Sequence, residues 1–287
     1  MERYAKIRRI LILVLVLNLA VSFAKIVYGS ITNTLSMQSD GYHSLFDGIS
    51  NIVGIIGIQI ASRPPDESHP YGHQKYETLA SVFIAVLLVF VAFEIISQSV
   101  ERFATMTTPE ITTLSFVVMI VTIGINLAVT TYEKRKGEEL KSEVLIADSM
   151  HTRSDIYVSL SVIAGLLAIK FGYPIVDPLI ALIIAALIGK AAIDIIRSST
   201  GVLCDEAPLD NDFICDIAKE VPGVLDCHKI RTRGTVGDYY IDLHIWVNPE
   251  LHVSEAHRIS HMVTDRLKEK IEGVDDVVVH IEPGKHK

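Results

Sequence analysis

Cysteine is scarce in this chain, with three in 287 residues, and Cys204, Cys215 and Cys227 show no CxxC spacing. That excludes a thiolate metal knuckle and predicts a reduced, cytosol-facing protein without a disulfide framework. Positive charge is also short. The formal net charge is -8, and no basic patch offsets it, so nucleic acid is excluded as a partner. There is one tryptophan and no HExxH motif. Missing altogether is any balance between the two parts of the chain. Residues 1–206 hold the long apolar runs, whereas 207–287 carry 10 Lys+Arg against 15 Asp+Glu and read as a small soluble domain.

The apolar runs fall at 8–28, 38–61, 77–100, 111–132, 143–170 and 177–199. Each is long enough to cross about 30 Å of hydrocarbon, which predicts a six-helix transmembrane domain. The first run follows Arg8 and Arg9 as a signal peptide would, but it is too long for one and lacks a small-residue cleavage site. Polar breaks separate the runs, including one expected from Glu133 to Lys141. Arg3, Lys6, Arg8 and Arg9 precede the first run, Arg63 and Lys75 follow the second, and Lys134, Arg135, Lys136 and Lys141 follow the fourth. The other connections are nearly free of Lys and Arg, so both termini are expected in the cytoplasm of a multi-pass protein of the cell (inner) membrane.

Inside two of these runs stand His43-Ser44-Leu45-Phe46-Asp47 and His151-Thr152-Arg153-Ser154-Asp155. An imidazole and a carboxylate four residues apart project from one helix face. A single such pair in a soluble helix reads as an i,i+4 hydrogen bond. Two pairs at lipid depth read as an ion path, because an ionised Asp at the bilayer centre costs roughly 2.5–3.5 kcal/mol. Together the pairs offer two neutral nitrogens and two anionic oxygens, a donor set suited to tetrahedral zinc and less selectively to neighbouring divalent ions. The polar stripe continues through Asp40 and Asn51 on one helix and Asp148 on the other, as expected for the wall of a hydrated access path. Asn18 and Ser22 read as interhelical hydrogen-bonding groups, and Gly48, Gly54 and Gly57 as close-packing residues.

The loop Pro64–Lys75 holds Asp66, His69 and His73, either a solvated turn or a second metal site. Its prolines rule out a continuous helix. Beyond residue 207 the order reads as helix, strand, strand, helix, strand: 209–220, 224–233, 237–247, a helix from Ser254 to Ile271, and 274–281. This αββαβ order suggests a small α+β, metallochaperone-like sandwich. His244, His280 and Glu282 share strand faces that could converge on a metal, His286 reads as tail, and Trp246 as packing or a subunit contact.

The double HxxxD pattern, the DESHPYGH loop and the HKIRTR and VVVHIEP segments resemble the cation diffusion facilitator family over essentially the whole chain. That resemblance implies a homodimeric, proton-coupled exporter of divalent metals, not an enzyme, with transport site His43, Asp47, His151 and Asp155. It further implies a loop site at Asp66, His69 and His73, and cytoplasmic sites at His228, His244, His257, His280 and Glu282. It also implies a charge interlock of Lys75 with Asp205. The two-histidine set favours Zn2+ as transported and regulatory ion, with Cd2+, Mn2+, Fe2+ and Co2+ as neighbouring candidates. Ligating histidine must be neutral and titrates near pH ~6.5 when unperturbed, so proton and metal compete for one nitrogen. An intramembrane metallohydrolase would need an open coordination position and a general base. A membrane-anchored metal sensor would leave the paired ionisable residues without a purpose.

Overall fold

The computed structural model describes residues 2–31, 35–105, 113–171, 176–235 and 237–284. The side chains of residues 28–47 are not among those described. Six long helices lead: α1 (Glu2–Ile31), α2 (Leu35–Ala61), α3 (Lys75–Thr105), α4 (Thr113–Leu140), α5 (Glu143–Lys170) and α6 (Val176–Leu203). They are followed by α7 (Asn211–Lys219), β1 (Asp226–Thr235), β2 (Asp238–Val247), α8 (Val253–Lys270) and β3 (Val274–Pro283). The chain separates into two compact units, Met1–Ser199 and Thr200–Lys287, taken separately below.

In the first unit, apolar runs without water to satisfy their backbone become helices, because only a helix pairs its own N–H and C=O groups. Among the described residues, Glu2–Ala24, Lys75–Glu101 and Leu179–Leu203 are by themselves long and apolar enough to cross a membrane. On α5, Asp148, His151, Arg153 and Asp155 lower the hydropathy. Ile7, Leu11, Ile58, Ile84, Leu88, Leu145 and Ile188 form the interior, while Phe90, Phe93, Ile183 and Ile193 point outward. Such an apolar mantle would be a liability in water and is the natural surface in lipid. Helices α2 and α3 approach closely at Gly57, where an added Cβ would lie 2.5 Å from Ala80 Cβ.

One expected break is filled. The charged stretch 133–140 continues α4, and the turn shrinks to Lys141, at φ 50°, and Ser142. The stretch is rich in helix formers, and Lys136 lies 2.5 Å from Glu139 across one turn. Gly137 does not break the helix because it serves packing: a Cβ there would sit 2.9 Å from Ile146 of α5.

In the second unit the sheet order is β1-β2-β3, with β1 and β2 antiparallel and β2 and β3 parallel. Alternation along β2 sends Ile241, Leu243, Ile245 and Val247 to one face. There they pack with Ile214 and Ile217 of α7 and Ile259, Val263 and Leu267 of α8. Asp210 caps α7, its carboxylate accepting from Phe213 N at 3.0 Å. His252, rather than Ser254, caps α8, its ring nitrogen accepting from Ser254 N at 3.2 Å. Cys215 of α7 and Cys227 of β1 lie side by side, with Cα atoms 5.7 Å apart. Docking α7 on β1 brings them together, which spacing along the chain does not reveal.

Candidate functional site

On α5, His151 is buried and Asp155 half-buried, one turn apart on the same face. The partner motif lies on α2, whose backbone is helical through residues 43 and 47, but the side chains of Asp40, His43 and Asp47 are outside the described set. One turn further along α2, Asn51 donates from Nδ2 to Asp148 Oδ2 of α5. Its own Oδ1 accepts from Asn18 Nδ2 of α1 at 3.0 Å, so three helices are joined by one polar thread. Ser22 does not take part and bonds back to Asn18 O within α1. Asn51 and Asp148, expected along a hydrated wall, are instead fully enclosed. A Cβ on Gly54 of α2 would meet Val144 of α5 at 3.1 Å. Moving from Asn51 to Gly54 therefore goes with moving from Asp148 back to Val144, and the two helices run antiparallel.

In the loop before α3, Asp66, His69 and His73 converge, each offering a ligand atom within 4.8 Å of the others. Asp66 organises the turn. Its Oδ1 accepts from Ser68 N at 2.9 Å, Ser68 Oγ at 2.8 Å and His69 N at 2.7 Å. The Ser68 hydroxyl bond and then the His69 amide bond hold the Asp66 carboxyl down at about 2, so it is anionic throughout the physiological range. His73 Nε2 stands 3.4 Å from Asp66 Oδ2, and its ring is buried and stacked on Tyr76. Gly72, at φ 83°, provides the left-handed residue that turns the chain between the two imidazoles.

The second unit gathers a similar set by strand register. His228, His244 and His280 are aligned across β1, β2 and β3 on the face opposite α7 and α8. Glu282 is their hub. Its Oε1 lies 2.8 Å from His244 Nδ1 and 3.9 Å from His280 Nε2, and its Oε2 lies 3.1 Å from His228 Nε2. Trp246 Nε1 donates to Oε2 at 3.3 Å. The His244 bond is the main reason that the Glu282 carboxyl sits at about 2. His228, His244 and Glu282 present ligand atoms within 4.8 Å of one another, two nitrogens and an oxygen that fit a borderline divalent ion.

His257 does not join this row: it lies on α8 and meets His261 one turn on, with the Nε2 atoms 3.1 Å apart. Helix α8 covers the other face of the sheet, which is why the two groups stay apart. Lys75 opens α3 in the first unit and Asp205 lies in the second, so their interlock falls between units that are described separately.

Residues 11–204 match the cation efflux transmembrane domain, and residues 208–284 match the cytoplasmic domain of cation efflux proteins. The chain belongs to the cation diffusion facilitator family. An uncharacterized transporter of Methanocaldococcus jannaschii is 38% identical to this facilitator over 279 residues, covering 96% of this chain and 98% of that one. The cation-efflux pump FieF of Shewanella oneidensis is 33% identical over 255 residues, covering 88% and 86%. The manganese efflux system protein MneS of Bacillus subtilis is 29% identical over 276 residues, covering 94% and 93%. This facilitator is thus a membrane protein that exports divalent metal ions, with a six-helix transmembrane domain and a cytoplasmic α+β domain.

Three further residues of the facilitator stand at or beside these groups. His261 was legible as an i,i+4 partner of His257. Trp246 reaches Glu282 only through strand register. Glu133 lay in a run of charges that reads as solvated, yet it is wholly buried.

Proposed function

We propose that this facilitator is a proton-coupled antiporter that moves divalent transition-metal ions, Zn2+ first among them, out of the cytoplasm by alternating access. His43, Asp47, His151 and Asp155 hold the cargo. It works as a homodimer in the cell (inner) membrane with both termini cytoplasmic, residues 1–206 transporting and 207–287 binding metal and pairing the subunits.

The observation that carries this reading is the antiparallel register of α2 and α5 set by Asn51 with Asp148 and by Gly54 with Val144. Continued along the helices by one turn and then two, that register brings residue 47 level with 151 and residue 43 level with 155. The two HxxxD motifs are thereby matched backbone to backbone. His151 and Asp155 then act as ligands from α5, and the enclosure of His151 excludes competing water. Neutral imidazole binds cargo and protonated imidazole cannot, so proton uptake by the histidines drives release. The loop set and the Glu282 hub suit cytoplasmic metal that regulates the domain, Zn2+ again matching two imidazoles and a carboxylate.

Manganese is the second reading, supported by the relation to MneS. Purified protein in proteoliposomes with an imposed pH gradient tests both. Zn2+ flux that rises with the gradient and exceeds Mn2+ flux is expected. Flux indifferent to the gradient would overturn the coupling, and preferred Mn2+ flux would overturn the cargo.

A further inference from the structure

The α4–α5 hairpin packs Gly137 against Leu145 and Ile146, a register that brings Glu133, one turn earlier on α4, alongside Asp148 of α5. Both residues are completely enclosed. Neither carboxylate oxygen of Glu133, nor Oδ1 of Asp148, has a hydrogen-bond donor among the described residues. Asp148 Oδ2 takes the Asn51 amide, and the Ser50 hydroxyl also reaches the Asp148 carboxyl. Among the described residues, no cationic side chain forms an ion pair with Glu133 or Asp148. A buried carboxylate without a counter-charge is strongly unfavourable, and two in contact are more so. Such a pair is relieved either by a bound proton or by a bound cation.

We propose that Glu133 and Asp148 form an oxygen-donor site for a divalent cation, set one helical turn before His151 on α5, where cargo is held before it reaches the histidines. The waiting role rests on the transport reading above; the site itself does not. The donor set decides the class of ion. Two oxygens of Glu133, Oδ1 of Asp148 and the Ser50 hydroxyl are all hard, and Asn51 is occupied in aiming the Asp148 carboxylate. Oxygen donors suit hard ions such as Mn2+ or Mg2+ better than Zn2+, which takes nitrogen and sulfur readily. A hard, all-oxygen first site admits many divalent ions, and the nitrogen-bearing site one turn on then discriminates among them. Helix spacing supports the step: Asp148, His151 and Asp155 lie along one face of α5.

The test is a Mn2+ titration of the full chain in nanodiscs, with free Mn2+ read by electron paramagnetic resonance and thermal unfolding followed in parallel. Glu133→Gln and Asp148→Asn should each lose one Mn2+ equivalent per chain and the part of the Mn2+-induced rise in melting temperature that goes with it. In metal-free buffer Glu133→Gln should melt no lower than the parent, because its amide donates to Asp148 and removes a buried acid. Folded variants that keep every Mn2+ equivalent would overturn the proposal and leave a proton shared between the carboxyls. A lower melting temperature of Glu133→Gln without metal would also overturn it, marking the pair as structural. Wild-type flux that fails while the Glu133-dependent equivalent persists would refute the transport reading and spare the site. Intact flux with no equivalent lost would refute the site alone.

Discussion

The guanidinium of Arg3, in the first turn of α1, lies 3.0 Å from the Glu77 carboxylate in the first turn of α3. It also donates to the carbonyls of Leu140 and Lys141, each at 2.7 Å, while Ser142 Oγ donates to Glu77 Oε1 at 2.5 Å. One ion pair therefore ties α1 and α3 to the turn between α4 and α5. Glu77 is nearly enclosed, so Arg3→Ala strands a buried carboxylate. The expected loss is about 1–3 kcal/mol, at the low side of values for buried pairs because Arg3 is a third exposed. Glu77→Gln, which keeps the Ser142 bond, should cost less. Thermal unfolding in detergent ranks the two, and an unchanged Arg3→Ala protein would show the pair to be dispensable.

Removing a ligand from the proposed transport set should stop flux without unfolding the protein. Asp47→Ala and His151→Ala are each expected to abolish metal-dependent flux in proteoliposomes while eluting as the parent protein does. Retained Zn2+ flux in either one would remove that residue from the set. His43→Asp should instead keep flux and broaden it toward Cd2+ or Mn2+, since a hard oxygen replaces a borderline nitrogen. An unchanged order of metals would place selectivity elsewhere.

The cytoplasmic unit has its own core, with Ile214, Leu243, Ile245, Val263 and Leu267 all enclosed, so it is testable as fragment 207–287. Calorimetry should detect Zn2+ binding at neutral pH. At a free Zn2+ concentration about 100-fold above Kd, unfolding should become harder by about 2.7 kcal/mol. His244→Ala combined with His280→Ala should erase that gain, and in the full chain it should lower flux without abolishing it. No heat of binding to the wild-type fragment would return these histidines to ordinary strand positions.

Acid should find Glu282. Its carboxyl is held at about 2 against an ordinary value of 4.5, chiefly by the hydrogen bond to His244. A carboxyl lowered in the folded state contributes stability that is fully present above 4.5 and is lost as pH falls from there toward 2. In metal-free buffer the fragment should therefore lose stability across that window, and Glu282→Gln should flatten the loss. Superimposable acid-unfolding curves for the two would discount the hub.

What could be read from sequence divides by range along the chain. The six long helices follow from hydropathy alone, and the loop set was visible because Asp66, His69 and His73 sit within one short turn. The histidine row was only partly visible. Positions 228, 244 and 280 say nothing about alignment until strand register sets them side by side. His257, implied as a cytoplasmic ligand by resemblance, lies apart from that row on α8, beside His261. Glu133 was hidden for a different reason: its neighbours Lys134, Arg135 and Lys136 mark a solvated face, and only the packing of α4 on α5 turns that one side chain inward.

The irregularity in β1 has a bearing on how the cytoplasmic unit behaves at high concentration. Pairing with β2 slips between His228 and Arg231, and Lys229 there takes a left-handed φ of 49°. Edge strand β1 is thus bent and lined with Lys229, Arg231 and Arg233. The opposite edge, β3, carries Asp275 and Asp276 just after its first residue and ends on Pro283, which has no N–H to offer. Neither rim is a flat ladder on which another strand could build. The unit is thereby guarded against open-ended stacking into fibres.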